Sequence, residues 1–325
     1  MSFKSNAKSF LRKALALPSL RNRAHLRPLP GGHASRVVTL DQDGKTVRLL
    51  APPEHLLDRY RAAHPLYDRQ LPRIALAVEE VTQGELFIDV GANIGDTVAL
   101  LRSAGCRSPI LAIEPSAKFL TFASLNIERF SDVELRQAFV GPGGTRFALN
   151  ERRGTASSVT MARAREAQIP TIALGNLTER RTALVKTDTD GLDAKVLASG
   201  LAFLKTAQPL IWSEAEVRTA ADVTEWIEVL MALTECHPHV IAFDNFGFPV
   251  VYGELGSTVP TLRDLLEYCR RHAAVPAARG GEPRIYYLDL ALFPERLTTV
   301  YRDAVTRFER EWGAEASPQY QALSG

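Results

Sequence analysis

The chain has 325 residues, of which 46% are hydrophobic and 23% charged, and its formal net charge is +2. This composition is typical of an ordinary globular protein, and no apolar run approaches the length of about 18 residues that a membrane-spanning helix needs. The three cysteines are widely spaced, which argues against a disulfide framework or a paired metal site and favours a cytoplasmic location.

Residues 1–36 form a basic tail. Eight of the 39 lysines and arginines precede the first acid, Asp41, so the rest of the chain has 31 basic and 37 acidic residues, a net charge of −6. Apolar residues of the tail share one helical face, namely Phe3, Ala7, Phe10, Leu11 and Ala14. We expect either a solvated, partly disordered extension or a helix that contacts anionic membranes weakly through residues 1–30, and a transit peptide is a third interpretation.

Residues 37–81 are predicted to form an N-terminal unit with a hairpin and two helices. The segment Val37–Leu50 alternates in polarity around a turn at Asp43, which is typical of a hairpin. Helices are predicted over Glu54–Ala63 and Leu71–Val81, with prolines between them. We expect this unit to pack beside the next domain and to line its ligand site.

Residues 82–295 alternate between strand and helix patterns. The predicted strands are Glu85–Val90, Pro109–Glu114, Val133–Val140, Ala183–Asp188, Leu210–Glu214, Val240–Phe243 and Arg284–Leu290. The predicted helices are Gly95–Ser103, Ala117–Phe130, Leu192–Leu204, Ala221–Thr234 and Thr261–Arg271. This order predicts an α/β fold with a doubly wound, Rossmann-like sheet of about seven strands, and ligands outside the carboxyl ends of the strands. Residues 296–325 are predicted as a C-terminal helix and tail.

The segment Leu86–Leu101, LFIDVGANIGDTVALL, runs from an apolar strand through a glycine turn into a helix. Such a turn places a ligand at a helix N-terminus. Gly91 permits the tight turn, and Gly95 is expected to let a ligand approach the helix. Asp89 lies at the end of the strand, where a carboxylate suits a cationic or hydroxyl-rich ligand better than a pyrophosphate.

The next strand ends in Glu114, about 20 residues after the glycine turn, where an acid can accept both hydroxyls of a ribose. A dinucleotide fold has GxGxxG here, but this chain has Asn93 at the middle glycine position and an acid before the turn. The pattern therefore favours S-adenosylmethionine over a nicotinamide or other nucleotide cofactor. The expected cofactor-binding residues are Asp89, Gly91, Ala92, Asn93, Gly95, Glu114, Pro115 and Ala138.

Five stretches together resemble a known family. They are FIDVGANIGD (Phe87–Asp96), AIEPS (Ala112–Ser116), SLNIERF (Ser124–Phe130), VKTDTDGLDAKVLASG (Val185–Gly200) and PLIWSEAEV (Pro209–Val217). The chain resembles the FkbM-type methyltransferases, which use S-adenosylmethionine and mostly methylate hydroxyl oxygens. Many members have glutamate where this chain has Asp190, and the acid usual in the preceding short helix is replaced in IALGNL (Ile172–Leu177), which suggests a subfamily with its own acceptor.

The resemblance implies methylation of a hydroxyl, which we expect on a sugar, a polysaccharide precursor or a secondary metabolite. It also implies that the last strand is inserted antiparallel. The alternatives are an N-methyltransferase of a small molecule, an oxidoreductase and a non-catalytic, cofactor-binding interaction protein. Nucleic acid is not an expected partner, because the body of the chain is acidic and lacks the AsnPro or AspPro aromatic motif expected for planar base nitrogens.

Four charged residues are expected to form the catalytic group. Lys186, Asp188 and Asp190 end one predicted strand and Glu214 ends the next, and neighbouring parallel strands lie about 4.8 Å apart. Asp188 is the first candidate for orienting or deprotonating the acceptor, and Glu214 is the second. The alternative is an ion pair of Lys186 with Asp188 or Glu214. A divalent metal among the three acids is conceivable, but no loop spacing demands one and we predict none.

The connection Arg152–Arg181 is long and rich in arginine, as lids and binding elements often are. Its arginines could meet an anionic acceptor such as a nucleotide sugar or a carboxylated glycan, although a solvated face explains them equally well; they are Arg152, Arg153, Arg163 and Arg165. Ser157 and Ser158 match a small polar pair of the resembled family and are expected to help close the site.

Overall fold

A computed structural model of the protein describes residues 27–28, 34–64, 66–143, 147–152, 155–160, 169–273 and 285–319, with the backbone alone for 27–28, 147–152, 155–160 and 312–319. The strands are β1 (Arg27–Pro28), β2 (Ala34–Gln42), β3 (Lys45–Ala51), β4 (Leu86–Val90), β5 (Ile110–Ile113), β6 (Val133–Arg136), β7 (Phe139–Val140), β8 (Phe147–Arg152), β9 (Thr155–Thr160), β10 (Thr171–Ile172), β11 (Thr182–Thr187), β12 (Leu210–Glu216), β13 (His239–Asp244), β14 (Pro249–Glu254) and β15 (Tyr287–Phe293).

The helices surround these strands. They are α1 (Leu57–Ala63), α2 (Gln70–Thr82), α3 (Asp96–Ala104), α4 (Ala117–Ile127), α5 (Asp193–Ala198), α6 (Leu201–Ala207), α7 (Ala220–Leu233), α8 (Leu255–Ala273) and α9 (Thr298–Gln319), with short 3-10 turns at Leu174–Asn176 and Glu295–Leu297. None of the helices in the described part of the chain is both long and apolar enough to cross a membrane.

The central sheet has eight strands among the described residues, in the order β14-β13-β15-β12-β11-β4-β5-β6. Its strands are mostly parallel, and β15 runs antiparallel between β12 and β13, so the predicted doubly wound sheet and its inserted last strand are confirmed. Sequence reasoning missed β14, which pairs only at the edge of the sheet. This strand begins at a proline and is half-exposed, so it lacks the apolar run of a central strand.

The structure divides two predicted elements and lengthens a third. The strand predicted over Val133–Val140 is divided, because its second part, β7, leaves the central sheet and pairs with β10. The helix predicted over Leu192–Leu204 is two helices, α5 and α6, which meet at Gly200 where the 3-10 turn packs too closely for a side chain. The helix predicted to begin at Thr261 begins at Leu255 and contains Pro260.

Helices cover both faces of the sheet, which is why its central strands are apolar throughout. All residues of β4 are buried. One face packs against α5, α7 and α8 through a core that includes Trp226 and Leu262. The other face packs against α2, α3 and α9 through a core that includes Ile74 and Phe308. With both faces covered, the ends of the strands are the places where a ligand can reach the sheet.

The predicted N-terminal hairpin is present as β2 and β3. Asp43 and Gly44 both have positive φ, 49° and 79°, as a two-residue turn of this kind requires. The hairpin shares a core with α3 and α4. Asn126 of α4 fixes the junction, because its side chain accepts from the Leu50 amide at 2.7 Å and donates to the carbonyls of Leu50 at 2.8 Å and Ile94 at 2.7 Å.

Candidate active site

A cavity of about 400 Å³ lies at the carboxyl ends of β4, β5, β11 and β12, and its volume is in the range of small-molecule sites. Residues 55–72 of the N-terminal unit and the first half of β15 close it from the other side. The expectations that ligands lie beyond the strand ends and that the N-terminal helices line the site agree with this placement. The cavity is therefore the candidate active site.

The glycine turn after β4 is shaped by the chain around it. Gly91 and Gly95 both have φ of 80°, and the amides of Gly91 and Ala92 both donate to the Ile113 carbonyl at 3.0 Å. A Cβ on Gly91 would overlap the main-chain oxygen of Asp188, and a Cβ on Gly95 would lie 2.8 Å from Ile127. Gly91 borders the cavity, whereas Ala92 and Gly95 are not among its lining residues. The two glycines thus permit strand and helix packing, and α4 occupies the space next to Gly95.

Asp89 lies behind the cavity wall in an ion pair with Lys186. Only 2% of Asp89 and 5% of Lys186 are exposed, and Lys186 Nζ lies 3.1 Å from Asp89 Oδ1 and 3.3 Å from Asp188 Oδ2. Nζ also donates to the Gly91 carbonyl at 3.2 Å. Burial lowers the pKa of Lys186, but the charges of Asp188, Asp89 and Asp96 outweigh it and raise the pKa well above its usual value. The structure contains the Lys186–Asp188 ion pair that was the alternative expectation, and Asp89 is a second partner of Lys186.

Glu114 faces the cavity from the end of β5. Its Oε2 accepts from the Asn93 amide and its Oε1 from the Ser116 amide, both at 2.8 Å. Burial raises the pKa of this carboxyl to about 7, against the effect of both hydrogen bonds. Each oxygen keeps a further lone pair. The structure brings Asn93, Pro115 and Ala138 to the same cavity, beside the apolar side chains of Leu100, Ile113, Phe119, Phe139 and Val140.

The four expected catalytic residues all line the cavity. In the β11–β12 register Thr187 pairs with Ser213, so Asp188 and Glu214 follow at neighbouring positions. Burial, and next the charge of Asp188, raises the pKa of Glu214 well above its usual value. The same two causes raise the pKa of Asp190 to about 7. The expected meeting of these side chains is present, while their catalytic roles stay predictions.

Sequence reasoning missed several residues of this cavity. Asp289 of β15 lies directly opposite Glu214 in the antiparallel pairing, and Asp68 enters from the loop before α2. Tyr60, Tyr67, Tyr286 and Tyr287 also line the cavity. Asp289 carried a readable signal, because it is the single acid in an otherwise apolar strand inserted beside the Glu214 strand. The loop with Asp68 had no comparable pattern.

Carboxylate oxygens of Asp190, Glu214 and Glu216 lie within 4.8 Å of one another among the described residues. Acid clusters of this kind are common at protein surfaces without a bound ion, and Arg218 already binds both oxygens of Glu216, at 3.0 and 2.9 Å. The sequence placed a conceivable metal among Asp188, Asp190 and Glu214, a different set. The expectation of no metal stays a prediction.

Several expectations concern parts of the chain that the structure does not describe in full. Arg153, Arg163 and Arg165 lie outside the described residues, as does most of the basic tail 1–36. Further residues lie in β8 and β9, for which the backbone alone is described; they are Arg152, Ser157 and Ser158. Contact with an anionic acceptor, closure of the site and membrane contact therefore stay predictions.

The free energy of unfolding should fall as pH rises from 6.5 to 8.0. Burial raises the pKa of four carboxyl groups to about 7, so the folded protein releases protons in this window that the unfolded chain has already lost; they belong to Asp68, Glu114, Asp190 and Asp193. The buried His55 and His237, with pKa near 4, act in the opposite direction, but mainly below pH 6.5. We expect a loss of about 1 kcal/mol per pH unit, measurable by urea denaturation. A flat or rising profile would contradict the assignment of these acids, and Asp68→Asn should make the profile flatter.

Comparison with known proteins gives one family match. Residues 89–248 match the model described as the methyltransferase FkbM domain. No curated protein matches the sequence.

Several solved structures are similar at low identity. A methyltransferase FkbM from Methylobacillus flagellatus KT is 17% identical, with 41% of this chain covered and a TM-score of 0.33, and this chain spans 33% of that protein. A SAM-dependent O-methyltransferase from Thermotoga maritima is 12% identical over 79% of this chain and 77% of its own, with a TM-score of 0.36. The plantazolicin methyltransferase BamL, in complex with a triazolic desmethylPZN analog and SAH, is 10% identical. The match covers 74% of this chain and 89% of that chain, with a TM-score of 0.34. These scores are too low to transfer a residue role or a substrate.

Proposed function

Because this chain contains a methyltransferase FkbM domain at residues 89–248, we propose that it transfers a methyl group from S-adenosylmethionine to a hydroxyl oxygen of a sugar, a polysaccharide precursor or a secondary metabolite. The observation that carries the proposal is that the two ends of one cavity have different side chains. Glu114 and an apolar wall lie at one end of it, and Asp188 and Glu214 lie at the other.

The residues at the Glu114 end fit the cofactor. Glu114 accepts hydrogen bonds from two backbone amides and still has free lone pairs. A hydrogen-bond acceptor for a ribose diol needs such lone pairs. Asn93, Pro115 and Ala138 would hold the cofactor beside it. S-adenosylmethionine supplies, when bound, a methyl group on a positively charged sulfonium. The carboxylates around the cavity favour that positive charge.

The protein's contribution is to position the acceptor and take its proton. Lys186 is a positioning residue, because it holds Asp188 Oδ2 at 3.3 Å and leaves Oδ1 for the acceptor hydroxyl. A carboxylate oxygen of Glu214 takes the hydroxyl proton in this scheme. Burial and the charge of Asp188 raise the pKa of Glu214, so its ionised form is a stronger base than an ordinary carboxylate. Closing of the wall by residues 55–72 limits the access of water.

The first experiment is a calorimetric titration of the purified chain with S-adenosylmethionine, S-adenosylhomocysteine and NAD in parallel. We expect the first two to bind and NAD not to bind, followed by labelled methyl transfer to a member of an acceptor library. Binding of NAD alone would overturn the proposal in favour of an oxidoreductase. Binding of the first two without transfer to any acceptor would favour the non-catalytic alternative, and a labelled nitrogen would favour N-methylation.

Glu214→Gln should lower the rate of methyl transfer by about 10²- to 10⁴-fold, since general-base catalysis contributes that much. Binding of S-adenosylhomocysteine should stay within about twofold of wild type, because Glu114 and its neighbours are unchanged. Glu254→Gln is the matched control, an exposed glutamate at the end of β14 that does not line the cavity. A Glu214→Gln protein that turns over normally would remove the base assignment.

A further inference from the structure

The cavity wall is rich in carboxyl groups. Eight carboxylates line it against two permanently cationic side chains, Lys186 and Arg218; the acids are Asp68, Asp96, Glu114, Asp188, Asp190, Glu214, Glu216 and Asp289. Both cations are already in ion pairs, Lys186 with Asp89 and Asp188 and Arg218 with Glu216. Burial lowers the pKa of His55 to about 4, so this lining residue is neutral. The carboxyl groups of the wall therefore outnumber its cations, and burial together with neighbouring acids raises the pKa of Asp68, Asp190 and Glu214, so a bound cation would favour their ionised forms.

The excess lies at the end of the cavity away from Glu114. Glu214 and Asp289 face each other across the β12–β15 pair, and the charges of Asp68 and Asp188 act on Asp289. Among the described residues no donor pairs with Oε1 of Gln70, a cavity-lining side chain that is only 3% exposed. This end thus presents many carboxyl oxygens and an unpaired amide oxygen, which suit a ligand that brings N–H groups and positive charge.

Tyrosine rings frame the same end. Tyr60 and Tyr286 line the cavity while 42% and 41% exposed, which places them at its mouth. Tyr67 packs against Tyr60 at 5.7 Å between ring centroids, and Tyr287 against Tyr286 at 5.0 Å. The faces of aromatic rings attract ammonium groups, and rings combined with carboxylates are a recurrent arrangement for binding them.

We propose that this end of the cavity binds a protonated amine of the acceptor, with Asp289 and Asp68 as counter-charges and Tyr60 and Tyr286 as the aromatic walls. The inference rests on the proposed function and narrows its substrate class to hydroxyl compounds that also carry an amine. It reverses the expectation of an anionic acceptor, because a carboxylate or phosphate here would face the acids at short range. In this arrangement the site holds the ammonium group while a neighbouring hydroxyl of the same acceptor molecule faces Asp188.

The test compares probes that differ only in charge on the full chain saturated with S-adenosylhomocysteine. D-glucosamine, N-acetyl-D-glucosamine and D-glucuronate form one series, and benzylamine, benzyl alcohol and benzoate form a second. Ligand-observed saturation-transfer NMR gives the dissociation constants. We expect each amine to bind at least tenfold more tightly than its neutral and anionic partners, with weaker binding as salt is raised.

Two variants test whether Asp289 and Tyr286 cause the preference for amines. Asp289→Asn keeps the shape of the side chain and should weaken amine binding by at least fivefold, and Tyr286→Leu should do so independently. Glu254→Gln should leave it unchanged. Neither cavity variant should alter the affinity for S-adenosylhomocysteine, which reports the folded cofactor end.

The inference is overturned if the neutral or anionic probes bind as tightly as the amines, if neither amine binds, or if Mg²⁺ binds and displaces the amines. Failure of the proposed function is a different result, since it is read from the cofactor titration alone. A chain that binds the amines selectively but not S-adenosylhomocysteine would keep the amine site and lose the methyltransferase assignment.

Discussion

Gly91→Ala is expected to destabilise the protein by more than about 4 kcal/mol and to abolish binding of S-adenosylmethionine. A methyl group at residue 91 would overlap the main-chain oxygen of Asp188, which belongs to the neighbouring strand end. The only relief is to separate β4 from β11, and these strands are the centre of the sheet. The measurement is urea denaturation together with calorimetric titration of the cofactor.

Gly84→Ala and Gly44→Ala are the matched controls. Both glycines have the same left-handed φ, 87° and 79°, but nothing lies within 4 Å of an added Cβ at either position. These control variants should lose only about 1 to 2 kcal/mol of stability, which is the cost of an unfavourable backbone conformation. If Gly91→Ala is no worse than these controls, the contact between the glycine turn and Asp188 does not limit the fold.

Lys186→Met should cost about 3 to 5 kcal/mol, because it leaves the carboxylate of Asp89 buried without its counter-charge. Asp89 cannot move to water, since it is 2% exposed and lies in a central strand. The double variant Lys186→Met with Asp89→Asn should recover most of this loss, because residue 89 then carries no charge. Urea denaturation of the two variants and the wild type measures the recovery.

Lys195→Met provides the surface comparison for that experiment. Lys195 pairs with Glu225 at 3.6 Å while both side chains are about 40% exposed, and such pairs contribute less than about 1 kcal/mol. A Lys186→Met protein no less stable than Lys195→Met would show that Asp89 is neutral when folded, and the ion pair would then not be the reason for this lysine.

Much of this site could be predicted because its residues lie at strand ends. Alternating strands and helices fix which ends meet at one edge of the sheet, so Glu114, Asp188 and Glu214 could be placed in one cavity from their positions alone. It was harder to predict why a given position holds a particular residue, such as a glycine. Gly95 was expected to let a ligand approach the helix, but Ile127 and Ala123 of α4 occupy the space beside it.

The residues that were missed depend on contacts between distant parts of the chain. Asp289 faces Glu214 only because β15 is inserted antiparallel, and its register depends on packing rather than on a local pattern. Asp89 was expected at the cofactor because it lies near the end of the strand, but strand pairing places Lys186 beside it, and the two form an ion pair behind the cavity wall. Local patterns specify a side chain's face and not its partner.

The wall made by residues 55–72 has a consequence for how such a protein can diversify. This segment contributes Tyr60, Asp68 and Gln70 to the cavity, yet it precedes the matched domain at residues 89–248. In the proposed scheme, one wall of the acceptor end is thus encoded separately from Glu114 and the glycine turn, which contact the cofactor. Exchange of this short front segment could change the preference for an acceptor while Glu114, Asp188 and Glu214 are inherited unchanged.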